Sequence, residues 1–306
     1  MNIKFALNLI AIISIIASYA VAQDETRVTA AAATWQVQKY DISVNLPASE
    51  TDRTVSVRAA LTVKNVSNSP AQALTLRIGS IADVSAVTVN GSTVDVTKRE
   101  EKLDSARSLQ RISSRIPAAA PGAAVNVTVD YKLTVKDNSG VGAVSIVGSQ
   151  FLPQSFWYPT PNSWFFTRGA DHAPFRIQVN APGGLTVVSS GSQSGSSFDQ
   201  KLSGQPFFFA GNWDVTDSAG TSVYVPKGLG PDAKSRATEI AALIAEAKTY
   251  MANLLGPPPD VPVRVVASRR GVGFSDSGSV VVDEGVFRRA KLDSLTAMNL
   301  AEAVAK

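Results

Sequence analysis

The sequence predicts a mainly β protein, in which an antiparallel β domain precedes a shorter α/β segment. Three observations predict this fold class. Apolar and polar residues alternate in short runs through residues 35–226, as in strands with one buried face. Asn90 and Gly91 lie between two such runs and predict a two-residue hairpin, because this dipeptide readily adopts the left-handed conformations of the turn. After Pro231 the apolar residues recur with a period of about 3.6, which is typical of a helix.

The alternating runs are separated by Gly, Pro and Asn, and this spacing favours a sandwich-like or saddle-like antiparallel sheet. The predicted strands of this domain are residues 40–46, 54–66, 74–78, 87–89, 93–96, 124–135, 175–179, 185–189 and 222–225.

The α/β segment begins with a predicted helix over residues 233–255, which Gly256 and the following prolines end. Strands are predicted over residues 263–267 and 279–283. A last helix is predicted to start near Asp293 and has no stop signal before Lys306. We therefore expect the domain formed by the last 80 or so residues to be incomplete in this chain.

The N-terminus has the pattern of a secretion signal. Lys4 provides a positive charge, residues 5–17 are almost all apolar, and Ala20-Val21-Ala22 fits a cleavage site. We predict a signal peptide over residues 1–22, a linker over 23–34, and export to the periplasm or the extracellular space. An uncleaved N-terminal anchor is the alternative. No later apolar stretch has the length of a membrane span.

The composition excludes several classes of function. The chain has 306 residues, a formal charge of +4, no cysteine and a single histidine. Disulfides and thiolate metal sites are therefore excluded. Charged residues make up only 18% of the chain and form no basic block with interleaved aromatics, so nucleic-acid binding has no support.

The last predicted helix contains an incomplete metal-site motif. A zinc-peptidase helix reads His-Glu-x-x-His, which places two imidazole ligands one turn apart beside a general base. Here Glu302 occupies the glutamate position, whereas Ala301 and Ala305 occupy the two ligand positions. The alternative is an ordinary alanine-rich helix, since these residues are good helix formers.

Other segments add to this motif: Phe156-Trp157-Tyr158-Pro159, residues 175–182 with 187–191, residues 212–215 and residues 273–282. In their order and spacing the chain resembles the aminopeptidase-N family of zinc metallopeptidases (gluzincins) over most of residues 35–306. The resemblance implies a family-type N-terminal β domain over residues 35–226. It also implies a gluzincin-like catalytic domain, incomplete here, over 227–306, with Glu302 as a remnant of the general base.

The chain departs from the family pattern at the substrate site too. Gly273, Phe274, Ser275 and Asp276 stand where the family has Gly-x-Met-Glu-Asn, the segment that binds the free α-amine of the substrate. The resemblance implies that these four residues are a remnant of a substrate-binding segment, in which Asp276 or Glu284 is the available substitute for the amine anchor.

The single histidine, His172, lies in a loop far from the last helix in the sequence. We interpret it as a surface residue rather than as a metal ligand.

Three functions stay open. The favoured one is an exported pseudo-peptidase that binds a peptide or protein ligand, needs no cofactor and has no metal site, because alanine at positions 301 and 305 offers no lone pair to zinc. The second is an active zinc metallopeptidase whose ligands lie outside this chain. The third is a β-rich adhesion or structural module. The sequence predicts no oligomeric state.

Overall fold

The structure is a computed structural model that describes residues 34–49, 51–105, 107–161 and 171–305, with residues 304 and 305 described by their backbone alone. The predicted signal peptide (1–22) and the linker (23–34), apart from its last residue, lie outside the described residues. Among the helices that are described, none combines the length and the apolar character that a membrane crossing requires.

About half of the described residues lie in strands. The strands are β1 (Trp35–Asn45), β2 (Thr54–Asn65), β3 (Ala71–Gly79), β4 (Ala82–Val89), β5 (Ser92–Thr93), β6 (Thr97–Lys102), β7 (Ser108–Ala119), β8 (Ala124–Thr134), β9 (Gly142–Ala143), β10 (Gly148–Phe151), β11 (Ala173–Asn180), β12 (Thr186–Val188), β13 (Ser192–Ser194), β14 (Ser197–Gly204), β15 (Phe208–Gly211), β16 (Trp213–Ser218), β17 (Thr221–Pro226), β18 (Val263–Ser268), β19 (Phe274–Asp276) and β20 (Ser279–Asp283). The helices are α1 (Asp232–Leu255), α2 (Ser294–Ala305) and two short 3-10 helices, Pro153–Ser155 and Glu284–Arg288.

The largest sheet has eight strands in the order β13-β14-β11-β1-β2-β8-β4-β5, and β1 with β11 is its parallel pair. Its strands alternate as the sequence predicts: in β2 nearly every second side chain is buried. Other strands between residues 71 and 211 form two smaller sheets, in the orders β3-β7-β6 and β12-β15-β10-β9. The side chains of the first of these pack into one core with the eight-stranded sheet. The prediction of an antiparallel β domain is confirmed.

The predicted Asn-Gly hairpin is present, although its second strand is shorter than the alternation suggests. Asn90 and Gly91 have φ angles of 50° and 84°, as a two-residue turn requires. The strand that follows ends at Thr93 rather than at residue 96. After the Val94 N–H donates to the Val87 carbonyl at 3.0 Å, the chain leaves this sheet and enters the three-stranded one as β6.

The α/β part is a five-stranded sheet in the order β16-β17-β18-β20-β19. Its three central strands are parallel, and a short antiparallel strand lies at each edge. Buried alanines and isoleucines of α1 pack on this sheet and form a second core. Strands β16 and β17 belong to this sheet, although the sequence assigns residues up to 226 to the β domain. The predicted domain boundary at residue 226 stays a prediction.

Candidate functional site

Helix α2 carries the sequence that resembles a zinc motif. Asp293 begins the helix: its carboxylate accepts hydrogen bonds from the Thr296 N–H at 2.8 Å and the Thr296 hydroxyl at 3.0 Å. Leu300 points into the core beneath the helix and is 1% exposed. Successive residues rotate around the helix axis, so Ala301 is half-buried and Glu302 is exposed on the side away from the core.

The residues on this helix do not fit a zinc ion. A catalytic zinc takes three protein ligands that carry lone pairs. The position before Glu302 holds the methyl group of Ala301, and the position three residues after it is again an alanine. Across the described part of the chain, no three His, Cys, Asp or Glu side chains come together in a way that would hold a metal ion.

The segment Gly273–Asp276 forms one arm of a tight hairpin at the edge of the α/β sheet. Phe274, Ser275 and Asp276 make up β19 and pair with β20. The turn is Ser277-Gly278, with φ angles of 43° and 85°, so both residues are left-handed as in a two-residue hairpin. The turn thus joins two strands, β19 and β20, and no helix follows it directly.

Neighbouring side chains on a strand point to opposite faces, so Phe274 and Asp276 share one face of β19. That face lies against the loop between β14 and β15. The ring of Phe274 is 5.2 Å from the ring of Phe207 in an edge-to-face contact, and the Asp276 carboxylate accepts the Gln205 N–H. The predicted substitute for an amine anchor therefore already binds the protein's own backbone.

The turn itself is fastened to β14 by two further hydrogen bonds. Gln200 donates its side-chain amide to the Ser277 carbonyl at 2.9 Å, and the Ser277 hydroxyl donates to the Ser203 carbonyl at 3.1 Å. Burial raises the pKa of Asp276, and the nearby Asp171 adds to that rise. The bonds from Gln205 and Ser277 and the charge of His172 oppose it.

The other candidate anchor, Glu284, begins the 3-10 helix after β20. Its carboxylate lies 3.1 Å from the Arg288 guanidinium and 4.0 Å from that of Arg269. Arg288 lies in the same 3-10 helix and Arg269 directly follows β18, so two arginines already compensate the charge of this glutamate. The assignment of residues 273–276 to substrate binding stays a prediction.

The structure also brings together residues that the sequence did not single out as a site. Asp171 is 6% exposed, and its Oδ2 accepts the Gln205 side-chain amide at 3.0 Å and the Tyr158 hydroxyl at 3.4 Å. Gln205 thus touches Asp171 with its side chain and Asp276 with its backbone. Sequence signals for this cluster are absent, because its members lie far apart in the chain.

His172 is exposed at the start of β11, as predicted for a surface residue. Trp157 and Tyr158 are buried, consistent with their interpretation as core aromatics: Trp157 is 1% exposed and donates its indole N–H to the Pro206 carbonyl at 3.2 Å. Burial also raises the pKa of Tyr158 well above its ordinary value.

No protein-family model matches the sequence, and no curated protein matches it either. The fold does match solved structures. The chain is similar to native yeast LTA4 hydrolase with a TM-score of 0.67 and 13% identity, over 89% of this chain and 44% of that one. It is also similar to a mutant M1 zinc metallopeptidase from Deinococcus radiodurans bound to a Tyr-Ser-Ala substrate, with a TM-score of 0.63 and 16% identity.

That second match covers 87% of this chain and 64% of the other. The chain therefore spans less than two thirds of the length of these solved structures. At such low identity the likeness concerns the fold, and it confirms the predicted fold class: the chain has the β-rich, metallopeptidase-like architecture of the M1 enzymes.

Proposed function

We propose that this protein is an exported, aminopeptidase-N-like pseudo-peptidase that binds an extended peptide or protein segment without hydrolysing it. The observation that carries the proposal is the sequence of α2 within a metallopeptidase-like fold: Glu302 stands beside Ala301, and the helix, as far as it is described, contains no histidine. Without a metal there is no bound water of lowered pKa, so the glutamate has no nucleophile to activate.

The edge of the α/β sheet supports the binding role. In a two-residue hairpin the residues that flank the turn, Asp276 and Ser279, exchange hydrogen bonds with each other. The next pair, Ser275 with Val280, does not, so the backbone N–H and carbonyl of Ser275 point to the open side of β19. An extended peptide that adds to this edge would use these two groups.

The proposal is tested on the purified full chain with the tripeptide Tyr-Ser-Ala. We expect substoichiometric zinc by elemental analysis, no release of tyrosine over days, and saturable binding by NMR titration. Ser275→Pro removes the outward N–H and should weaken binding about 5-fold or more. Ser275→Ala is the matched control, because it keeps that N–H, and should bind like the unmodified chain.

Stoichiometric zinc together with hydrolysis would instead establish the active peptidase. Binding that Ser275→Pro leaves unchanged would reject the edge strand as the binding surface. Absence of any peptide binding would leave the β-rich adhesion or structural module as the better interpretation.

A further inference from the structure

An apolar pocket lies at the end of the α/β sheet where strands β18 and β20 begin. Its volume is about 300 Å³, within the range of small-molecule sites. One wall comes from α1 and from the prolines that follow it, and the opposite wall comes from the β19–β20 turn and the first residues of β18 and β20. Leu202 of β14 and Ala303 of α2 complete the lining.

The α1 wall follows from the helical period. Lys248, Met251, Ala252 and Leu255 line the pocket, and their spacing of three and four residues places them on one stripe of the helix. Residues 257–259, all proline, continue this wall beyond the end of the helix. Because proline has no N–H, this part of the wall offers no backbone donor to a ligand.

The lining carries one polar side chain that is not already engaged. Its other members are apolar residues and glycines, apart from Ser277, whose hydroxyl donates to the Ser203 carbonyl at 3.1 Å. Lys248 is half-buried, and its ammonium group forms no hydrogen bond or ion pair with the described part of the chain. A cation at the wall of an apolar pocket lacks a counter-charge there, and a bound anion would supply it.

We propose that this pocket binds a single-chain fatty acid, with the aliphatic tail among the apolar side chains and the carboxylate beside the Lys248 ammonium group. Among the described residues that line the pocket none is aromatic, which favours an aliphatic tail over a ring that would stack. Leu255 is 79% exposed, and the tail would cover it and remove apolar surface from water.

The position of the lysine also gives the direction of the ligand. Lys248 lies about two turns before the end of α1, so a carboxylate beside it stays clear of the partial negative charge at the helix C-terminus. The tail then extends along the helix towards the prolines. This inference goes beyond the proposed peptide binding and does not depend on it, because Ser275 on the open edge of β19 is not part of the lining.

NMR titration of the full chain at pH 7.5 tests this inference, with octanoate as the charged probe and octanol as the uncharged one. We expect saturable binding of octanoate that shifts the methyl resonances of Met251, Leu255 and Val280. Lys248→Met keeps an apolar side chain and removes the charge, so it should weaken octanoate binding roughly 3- to 10-fold and leave octanol binding unchanged. Lys234→Met, at an exposed lysine of the same helix, is the control and should change neither.

A second pair of variants blocks the pocket itself. Ala252→Phe fills it from the α1 side and should abolish binding of both probes, whereas Ala242→Phe, at an exposed position of the same helix, should preserve both. The fatty-acid site is rejected if octanoate does not bind, if its shifts fall outside the lining, or if Lys248→Met affects the two probes equally.

The sedimentation behaviour of the unmodified chain separates a second occupant. A dimer that Ala252→Phe dissociates, in a chain that does not bind octanoate, would assign this surface to a second copy and reject the fatty acid. If Ala252→Phe does not fold, the difference between octanoate and octanol in Lys248→Met decides.

Discussion

Two glycines near the candidate site differ in what their neighbours permit. At Gly204 a Cβ atom would lie 2.8 Å from the Asp276 Oδ2 and 3.0 Å from the Ser277 Oγ, both closer than ordinary contacts. At Gly273 the nearest atom to a Cβ is the Val281 carbonyl oxygen at 3.9 Å. Only the first glycine is therefore required by packing, although the resemblance to the peptidases directs attention to the second.

Gly204→Ala should lower the free energy of unfolding by about 1–3 kcal/mol, because the added methyl group displaces the Asp276 carboxylate from the Gln205 N–H that it accepts. Gly273→Ala, its control, should change that free energy by less than about 0.5 kcal/mol. Urea denaturation followed by tryptophan fluorescence measures both. Equal stability of the two variants would show that the Asp276 carboxylate can move without cost.

The structure of helix α2 depends on residues other than the alanines beside Glu302. Its first turn is capped by Asp293, and its buried Leu300 anchors it to the α/β core. Neither feature depends on a metal ligand. The helix is consequently formed with alanine at positions 301 and 305, and alanine has the highest helix propensity of all residues.

The cap of α2 should be sensitive to acid. Hydrogen bonds from Thr296, with the nearby Arg289, lower the pKa of Asp293, so the cap is complete above the ordinary aspartate pKa of about 3.9. It is lost as the pH falls through the lowered pKa. Asp293→Ala should therefore increase exchange of the Thr296 and Ala297 amides at pH 7, whereas Asp293→Asn, which can still cap, should do so much less.

An equal effect of the alanine and asparagine substitutions would assign the role to the charge rather than to the cap. In the unmodified chain the same two amides should lose protection only in strong acid, and loss above pH 5 would contradict the lowered pKa.

At the scale of the whole molecule, the β part and the α/β sheet meet through buried polar side chains as well as apolar ones. Arg264 on β18 is 6% exposed, donates to the Ser189 and Gly191 carbonyls at 3.1 and 2.7 Å, and lies 5.5 Å from the ring of Phe198. A second contact joins the Ser190 and Ser279 hydroxyls at 3.0 Å.

Arg264→Met should cost about 1.5–3 kcal/mol of unfolding free energy, because two buried carbonyls lose a charged donor. Arg58→Met is the control: Arg58 is 66% exposed and lies 3.7 Å from Asp130, a surface pair of little energetic weight. Chemical denaturation measures both. A loss no greater than that of the control would show that the carbonyls find other partners, for example water.

The sequence by itself determined the alternating strands, the Asn-Gly turn, the helix after Pro231 and the alanines beside Glu302. These are local features, since a period of 2 or 3.6 and the chemistry of a single residue can be recognised without knowing what lies opposite. The same local argument missed β7, although Leu109, Ile112 and Ile116 are buried. Apolar and polar residues alternate less regularly along this strand than along β2.

Only the tertiary structure decided which strands share a sheet and which residues meet at the hairpin. β17 precedes helix α1 in the sequence yet pairs with β18, which follows that helix, and β16 joins the same sheet through β17. Asp171 meets Gln205, whose backbone N–H donates to Asp276. Such contacts join residues that are far apart in the sequence. Many different strand orders are compatible with the same alternation of apolar and polar residues, so the pattern alone does not select one. The packing of the complete core selects one of them.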